Sequence, residues 1–308
     1  MNAAPLALPA SSVPGSSVIA AGRRAKAPAT PDPIVDAHSA RRAPRGAEAA
    51  RGYVPDPLPV TVVLADPGTA ASMAVHVVAP ALDGLYAPKA SRWWFLRRED
   101  RWHIHLDGAD RTRAGQVLDE LVRSGILRRW EHDGSCSPHD QLLLELHRAD
   151  SEGVVGYLRE RRPVLAERHV AGILAGVMCR ATGLGDLEAA DVLDLLACRG
   201  AALDESSQLR ACGLADFLGL LLHTPADEVL GPDAYAVRWV TELTELTVAA
   251  ARLGPARPTS SRSARRDRLY DLLGQAMTAQ WNRLGLSAAD QAVLAVATRD
   301  ALRIKGQR

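Results

Sequence analysis

Two histidines at alternate positions, His103 and His105, lie in the chain's densest run of aromatic and ionisable residues, Ser91 to Asp107 (SRWWFLRREDRWHIHLD). Imidazoles titrate near neutral pH, so a pair on one strand face can exchange protons with a bound substrate. Trp93, Trp94 and Trp102 add flat apolar walls to the same stretch. Read with period 2, Trp93, Phe95 and Arg97 share one face, and Trp94, Leu96 and Arg98 share the other. A polar turn, Glu99-Asp100-Arg101, follows. The alternation then resumes, with Trp102, Ile104 and Leu106 apolar and His103, His105 and Asp107 polar. The pattern predicts a β-hairpin with one face for a core and one for a polar site. A metal on His103-x-His105 needs further ligands, and none follows at a clear spacing, so no metal is expected.

Four residues near the C-terminal end complete the candidate set. Gln280 and Asn282 are neutral hydrogen-bonding groups, and Arg283 is a cation that suits either a substrate or the carbonyls of a helix end. Tyr270, about three helical turns before Asn282, suits the same cleft or the core. Asp150-Ser151 reads as the N-cap of a helix over 152–160. No histidine has a motif that places it beside Ser151, so a hydrolase triad has no support. Trp239 is expected in the core.

These groups need elements to position them. Pro59 to Leu64 predicts a strand, 69–79 a helix running into Pro80, and 111–124 an amphipathic helix stopped by Gly125 in a left-handed cap. Ile126 to His132 predicts a further strand. From Gln141 onward the pattern is helical, and its last helix starts with Ser287 as N-cap and Asp290 three residues on. The expected fold class is α+β: a mostly antiparallel sheet with helices in the N-terminal half, and a helical bundle in the C-terminal half. Residues 1–55, rich in Ala, Pro, Ser and Arg, predict a disordered tail before one continuous domain at 56–308.

Composition narrows the partners. The 308 residues include 37 basic and 36 acidic ones, so charge attracts the chain to neither nucleic acid nor a membrane surface. Prolines at 5, 9 and 14 break up any secretory leader, and no apolar run is long enough to span a bilayer. Cys136, Cys179, Cys198 and Cys212 show no C-x-x-C pairing. They read as buried reduced thiols of a cytoplasmic protein.

Several segments, in order over roughly 58–305, resemble the thiopeptide-type bacteriocin biosynthesis family, relatives of the glutamate-elimination domain of lantibiotic dehydratases. They are the strand and helix ending...TAASMAVHVVAP, then RWWFLRREDRWHIHL, LHRADS over 146–151, and WNRLGL over 281–286. The resemblance implies a ribosomally made precursor peptide as substrate, held between hairpin and bundle, with a glutamylating dehydratase as a possible partner. Eliminating members place two arginines at alternate positions on the second hairpin strand to hold a glutamyl carboxylate. Here His105 and Asp107, or His103 and His105, stand there, and Gln280 replaces a histidine. Imidazole and carboxylate do not replace a bidentate guanidinium clamp.

The family's other activity is pyridine synthesis, a formal aza-[4+2] cyclisation of two dehydroalanines with loss of water and leader. Catalysis there rests on positioning with modest acid–base help, so the resemblance implies no metal or other cofactor. The expected site follows: His103, His105 and Tyr270 for proton transfer, and Trp94, Trp102, Arg98, Gln280, Asn282 and Arg283 against the peptide. Glutamate elimination by a rearranged site is the second expectation, and a non-catalytic peptide-binding scaffold the third. An exposed sheet edge is expected to capture the leader by strand addition.

Overall fold

The computed structural model describes residues 57–66, 68–86, 93–98, 101–133, 141–160, 165–200, 202–231, 233–253 and 262–306. All belong to a compact unit, Gly52–Arg308. The expected tail at 1–55 and Cys136 lie outside the described residues.

Period-2 patterning produces the expected antiparallel sheet. Strands β1 (Leu58–Leu64), β2 (Trp93–Arg98), β3 (Arg101–Leu106) and β4 (Leu127–His132) pair in the order β2-β3-β1-β4. The hairpin register sets Trp94 opposite His105, Phe95 opposite Ile104 and Leu96 opposite His103. Phe95 stacks on Trp102 at 4.4 Å, and both join Val60, Val62, Ile104 and Leu106 in the core. Helices α1 (Ala70–Met73), α2 (Ala79–Asp83) and α3 (Arg111–Arg123) belong to this layer. Two indoles pin it: Trp93 donates to Asp83 on α2 and Trp130 to Asp119 on α3, each at 2.8 Å. Gly125 closes α3 with φ +73°, in the left-handed region only glycine adopts freely.

Two boundaries differ from the sequence reading. The helical run does not stop at Pro80, because a π-helical turn at Ala74–Val78 joins α1 to α2. Proline near the start of α2 has no N–H to leave unpaired, so the wider turn before it lets the run continue. Nor does a helix begin after Asp150-Ser151. Helix α4 runs unbroken over Gln141–Arg159, with both residues buried mid-helix. Ser151 Oγ donates back to the His147 carbonyl at 2.7 Å, the bond a mid-helix serine makes when no cap is needed.

The rest is helical: α5 (Glu167–Ala181), α6 (Asp186–Arg199), α7 (Glu205–Leu221), α8 (Ala226–Leu230), α9 (Ala234–Leu253), α10 (Arg262–Arg283) and α11 (Ala288–Gly306). Ser287 caps α11 as expected, accepting from the Asp290 amide at 3.1 Å. Helix α11 packs on both α6 and α7. Cys179 is buried, but Cys198 and Cys212 are exposed, which corrects the expectation of buried thiols. Both line a surface groove that α6 and α7 share with Ala292 and Val296 of α11, while the buried positions of the two helices hold Ala189, Leu193, Ala211 and Ala215. No helix among the described residues is long and apolar enough to cross a membrane.

Glycines set how closely α4 and α9 approach. A methyl group at Gly153 would overlap the indole of Trp239, and one at Gly156 would press Tyr235 at 2.8 Å. Gly153→Ala gains about 1 kcal/mol of helix propensity but overpacks a filled core, which costs about 1–3 kcal/mol or more. The expected net result is a lower urea midpoint. A midpoint raised by the substitution would mean that α9 yields freely.

Candidate functional site

Strand β2 is an outer strand, so its outward amides need partners other than a strand. Two helices supply them at Phe95. The Phe95 amide donates to Ser151 Oγ on α4 at 3.2 Å, and its carbonyl accepts from Arg283 Nε on α10 at 2.6 Å. One edge of the sheet is thereby sealed by the bundle.

Behind that seal lies a buried polar layer centred on Asp150. Its carboxylate accepts from Trp239 Nε1 (3.0 Å), Gln280 Nε2 (2.9 Å) and Arg283 Nη1 (2.7 Å). Arg283 and Asp150 are both fully enclosed, with side chains 0% and 5% exposed. Burial pushes the Asp150 carboxyl up, opposed by the Arg283 charge and these hydrogen bonds, and burial pulls the Arg283 guanidinium down. Ion pairing and three donors hold a carboxylate that water cannot reach.

Next to this layer, Trp94 is sandwiched by imidazoles. It stacks on His105 at 3.8 Å and 5°, and on His147 of α4 at 4.8 Å and 28°. Burial drives His105 down to about 4, with the Asp133 charge pulling the other way and those of His103 and Arg283 adding to the fall. His147 lies well below the usual range for the same first reason, then for its proximity to Arg283 and His105. Both rings are neutral at pH 7. His105 Nδ1, Trp94 Nε1, Gln280 Oε1 and Arg283 Nη2 are buried without a hydrogen-bond partner among the described residues.

This arrangement makes stability depend on pH with a definite sign. His105 binds a proton near 6.5 when unfolded but only near 4 when folded. Its neutral burial therefore contributes fully above pH 6.5, and the contribution is lost as pH falls toward 4. At 1.36 kcal/mol per unit, that drop is worth roughly 3 kcal/mol. In urea unfolding at pH 7.5, 5.5 and 4, His105→Phe should flatten the acid loss. Parallel declines in the two proteins would rule the effect out.

The solvent-facing part of the polar face belongs to His103. Its Nδ1 lies 2.7 Å from Asp133 Oδ2 and 3.1 Å from Thr61 Oγ1, and Thr61 donates to the same carboxylate oxygen at 3.1 Å. The His103 and Asp133 side chains are 25% and 19% exposed. A carboxylate on Nδ1 assigns the proton there and leaves Nε2 as the basic nitrogen. The β1 register adds Arg101 and Arg129, both opposite Val63 and hence on the same face as His103.

The structure brings together some of the expected residues and separates others. His103, His105 and Trp94 share one face, and Gln280 and Arg283 adjoin it from α10. Gln280 and Arg283 are not open to a peptide, because Asp150 engages them inside the layer. Trp102 lies on the opposite, apolar face against Phe95. Asn282 accepts from Gln291 at 2.8 Å and ties α10 to α11. Tyr270 accepts from Arg266 at 2.7 Å, near Asp191 on α6. At 1.5 Å per residue it sits roughly 20 Å along α10 from Arg283, too far to share the site. Arg98 pairs with Arg101 through its backbone, and its side chain lies outside the described residues. The expected open groove between hairpin and bundle is also corrected, since His105 is 3% exposed and α4 and α10 pack directly on β2. Two surface grooves of about 460 and 580 Å³ lie elsewhere, on the helical half.

Sequence reasoning missed His147, Thr61 and Asp133. His147, Asp150 and Ser151 stand at i, i+3 and i+4, one helix face, and that signal was available. Nothing local ties Asp133 to His103, 30 residues earlier.

The sequence matches no protein-family model and no curated protein. Solved structures do match. The tRNA-dependent lantibiotic dehydratase MibB from Microbispora sp. 107891 aligns with 82% of this chain at 19% identity and a TM-score of 0.55, and the chain spans only 28% of its length. TbtD, the pyridine synthase from thiomuracin biosynthesis, aligns with 82% of this chain and 99% of its own at 16% identity and a TM-score of 0.59. At such identities the likeness is one of fold, and in fold this chain is akin to a lantibiotic dehydratase over part of that protein and to a thiopeptide pyridine synthase over nearly all of it.

Proposed function

We propose that this protein tailors a ribosomally synthesised precursor peptide of the thiopeptide or lanthipeptide type, cyclising two dehydroalanines to a six-membered nitrogen ring. The observation that carries the reading is the His103–Asp133–Thr61 group on the partly exposed polar face of the sheet, in a fold that aligns with nearly all of a pyridine synthase. In the reaction, an amide N–H proton passes to a base while its carbonyl oxygen gains one, giving the iminol azadiene. Addition of the second alkene closes the ring, and the hydroxyl leaves as water before the leader amide departs. His103 Nε2 suits carrying that proton from the nitrogen to the oxygen, and in the later dehydration it takes a ring C–H proton and passes it to the departing hydroxyl, so each step leaves the imidazole as it began. Holding two alkenes in reactive contact supplies most of the acceleration.

Glutamate elimination is a second reading, favoured by one observation. Arg101 and Arg129 flank Val63 about 10 Å apart across two strand spacings, next to His103 and both exposed. Long guanidinium side chains at that separation can close on one carboxylate. Intact-mass spectrometry of a co-expressed precursor separates these readings. Loss of leader with water supports cyclisation, and loss of glutamate mass supports elimination. A bound but unchanged peptide would overturn both and leave a scaffold.

A further inference from the structure

We infer that the free edge of β4 is a docking strand for an extended, acidic peptide segment, the part of a precursor that is held while another part reacts. The inference rests on the peptide-substrate reading and adds where the peptide is held. Of the sheet's two edges, β2 is closed by Ser151 and Arg283, and β4 has no strand beyond it among the described residues. The Asp133 amide donates to the Pro59 carbonyl at 3.0 Å, which fixes the phase of the β1–β4 ladder. Glu131 and Arg129 therefore turn their amides inward, and Trp130 and His132 turn theirs to the open edge. Trp130 keeps its ring away from that edge by donating to Asp119.

Charge selects the occupant. Arg128 and Arg129 on β4 and Arg101 across Val63 are exposed and make no ion pair with described residues, while Glu131 is the strand's one carboxylate. Pairing with a second copy of β4 would bring like cations together, and the register shift beside Val63 disrupts the ladder at that end. A foreign strand bearing carboxylates meets no such repulsion and can pair along the regular part of β4, Arg129 to His132. Alternate side chains of such a strand fall on the His103 face. Three strand spacings, about 14 Å, separate it from β3, so roughly four or five further residues bring the reacting segment to His103.

The test uses a short synthetic peptide alternating valine and glutamate, with a valine–lysine analogue, and needs no precursor or turnover. Amide NMR shifts on adding the glutamate peptide should centre on Trp130 and His132, with affinity about tenfold above the lysine analogue. N-methylation at one set of alternate positions should abolish binding, and at the other set should leave it intact. His132→Pro removes an outward amide together with the imidazole edge-on to Trp130; it should weaken binding about tenfold, whereas His132→Ala, which removes the ring alone, should bind like the unaltered protein. Equal binding of the two peptides, indifference to N-methylation, or shifts confined to the helical half would each overturn the inference. Edge binding without any processing of a dehydrated precursor would uphold the docking strand and reject the proposed reaction.

Discussion

Replacing Arg283 by methionine should destabilise the protein by about 3–5 kcal/mol, the usual cost of leaving one member of a buried ion pair without its partner. The side chain is completely enclosed and makes two kinds of contact at once. It neutralises Asp150 through Nη1 and caps the Phe95 carbonyl of β2 through Nε. Methionine fills much of the volume but leaves the Asp150 charge and a strand carbonyl unsatisfied. The double variant Asp150→Leu/Arg283→Met removes the stranded carboxylate and should recover part of the loss. Urea unfolding of the two single variants and the double gives the coupling directly. Strict additivity, or a loss below about 1 kcal/mol for Arg283→Met, would mean that Arg283 does not join the sheet to the bundle.

The second large effect concerns activity. His103→Asn removes the titrating nitrogen and retains a polar side chain on a site that is 25% exposed. Product formation should fall about 10²- to 10⁴-fold, the ordinary contribution of a positioned acid–base group, while peptide binding and the unfolding midpoint stay near wild type. Asp133→Asn should lose less and move the pH profile, since Asp133 acts through the orientation and basicity of His103. A His103→Asn protein that turns over normally would place the chemistry elsewhere.

The parts of this molecule legible in sequence are those written locally. Alternation over 93–98 and 101–106 specifies the hairpin because a slip of one residue would exchange the two faces and take Phe95, Trp102 and Ile104 out of the core. Gly125 and the Ser287–Asp290 pair mark helix ends by chemistry confined to one turn. Asp150-Ser151 shows where that logic stops. The same residues that cap a helix also serve mid-helix when distant partners engage them, and those partners, Trp239, Gln280 and Arg283, lie 89, 130 and 133 residues away. Tyr270 and Asn282 meet Arg266 and Gln291, away from His103, for a related reason. Helical spacing places them on one helix, but only the packing of α6 and α11 decides what each one meets.

Chemistry on a sheet and chemistry in the bundle leave different traces in hydrogen exchange, measured with and without a peptide bearing two dehydroalanines. Peptide-dependent protection should appear in β3 and β4, above all at the Trp130 and His132 amides, which turn away from β1. Protection confined to the groove among Glu167, Phe217 and Val293, with β3 and β4 unchanged, would place the substrate on the helical half and contradict the role given to His103.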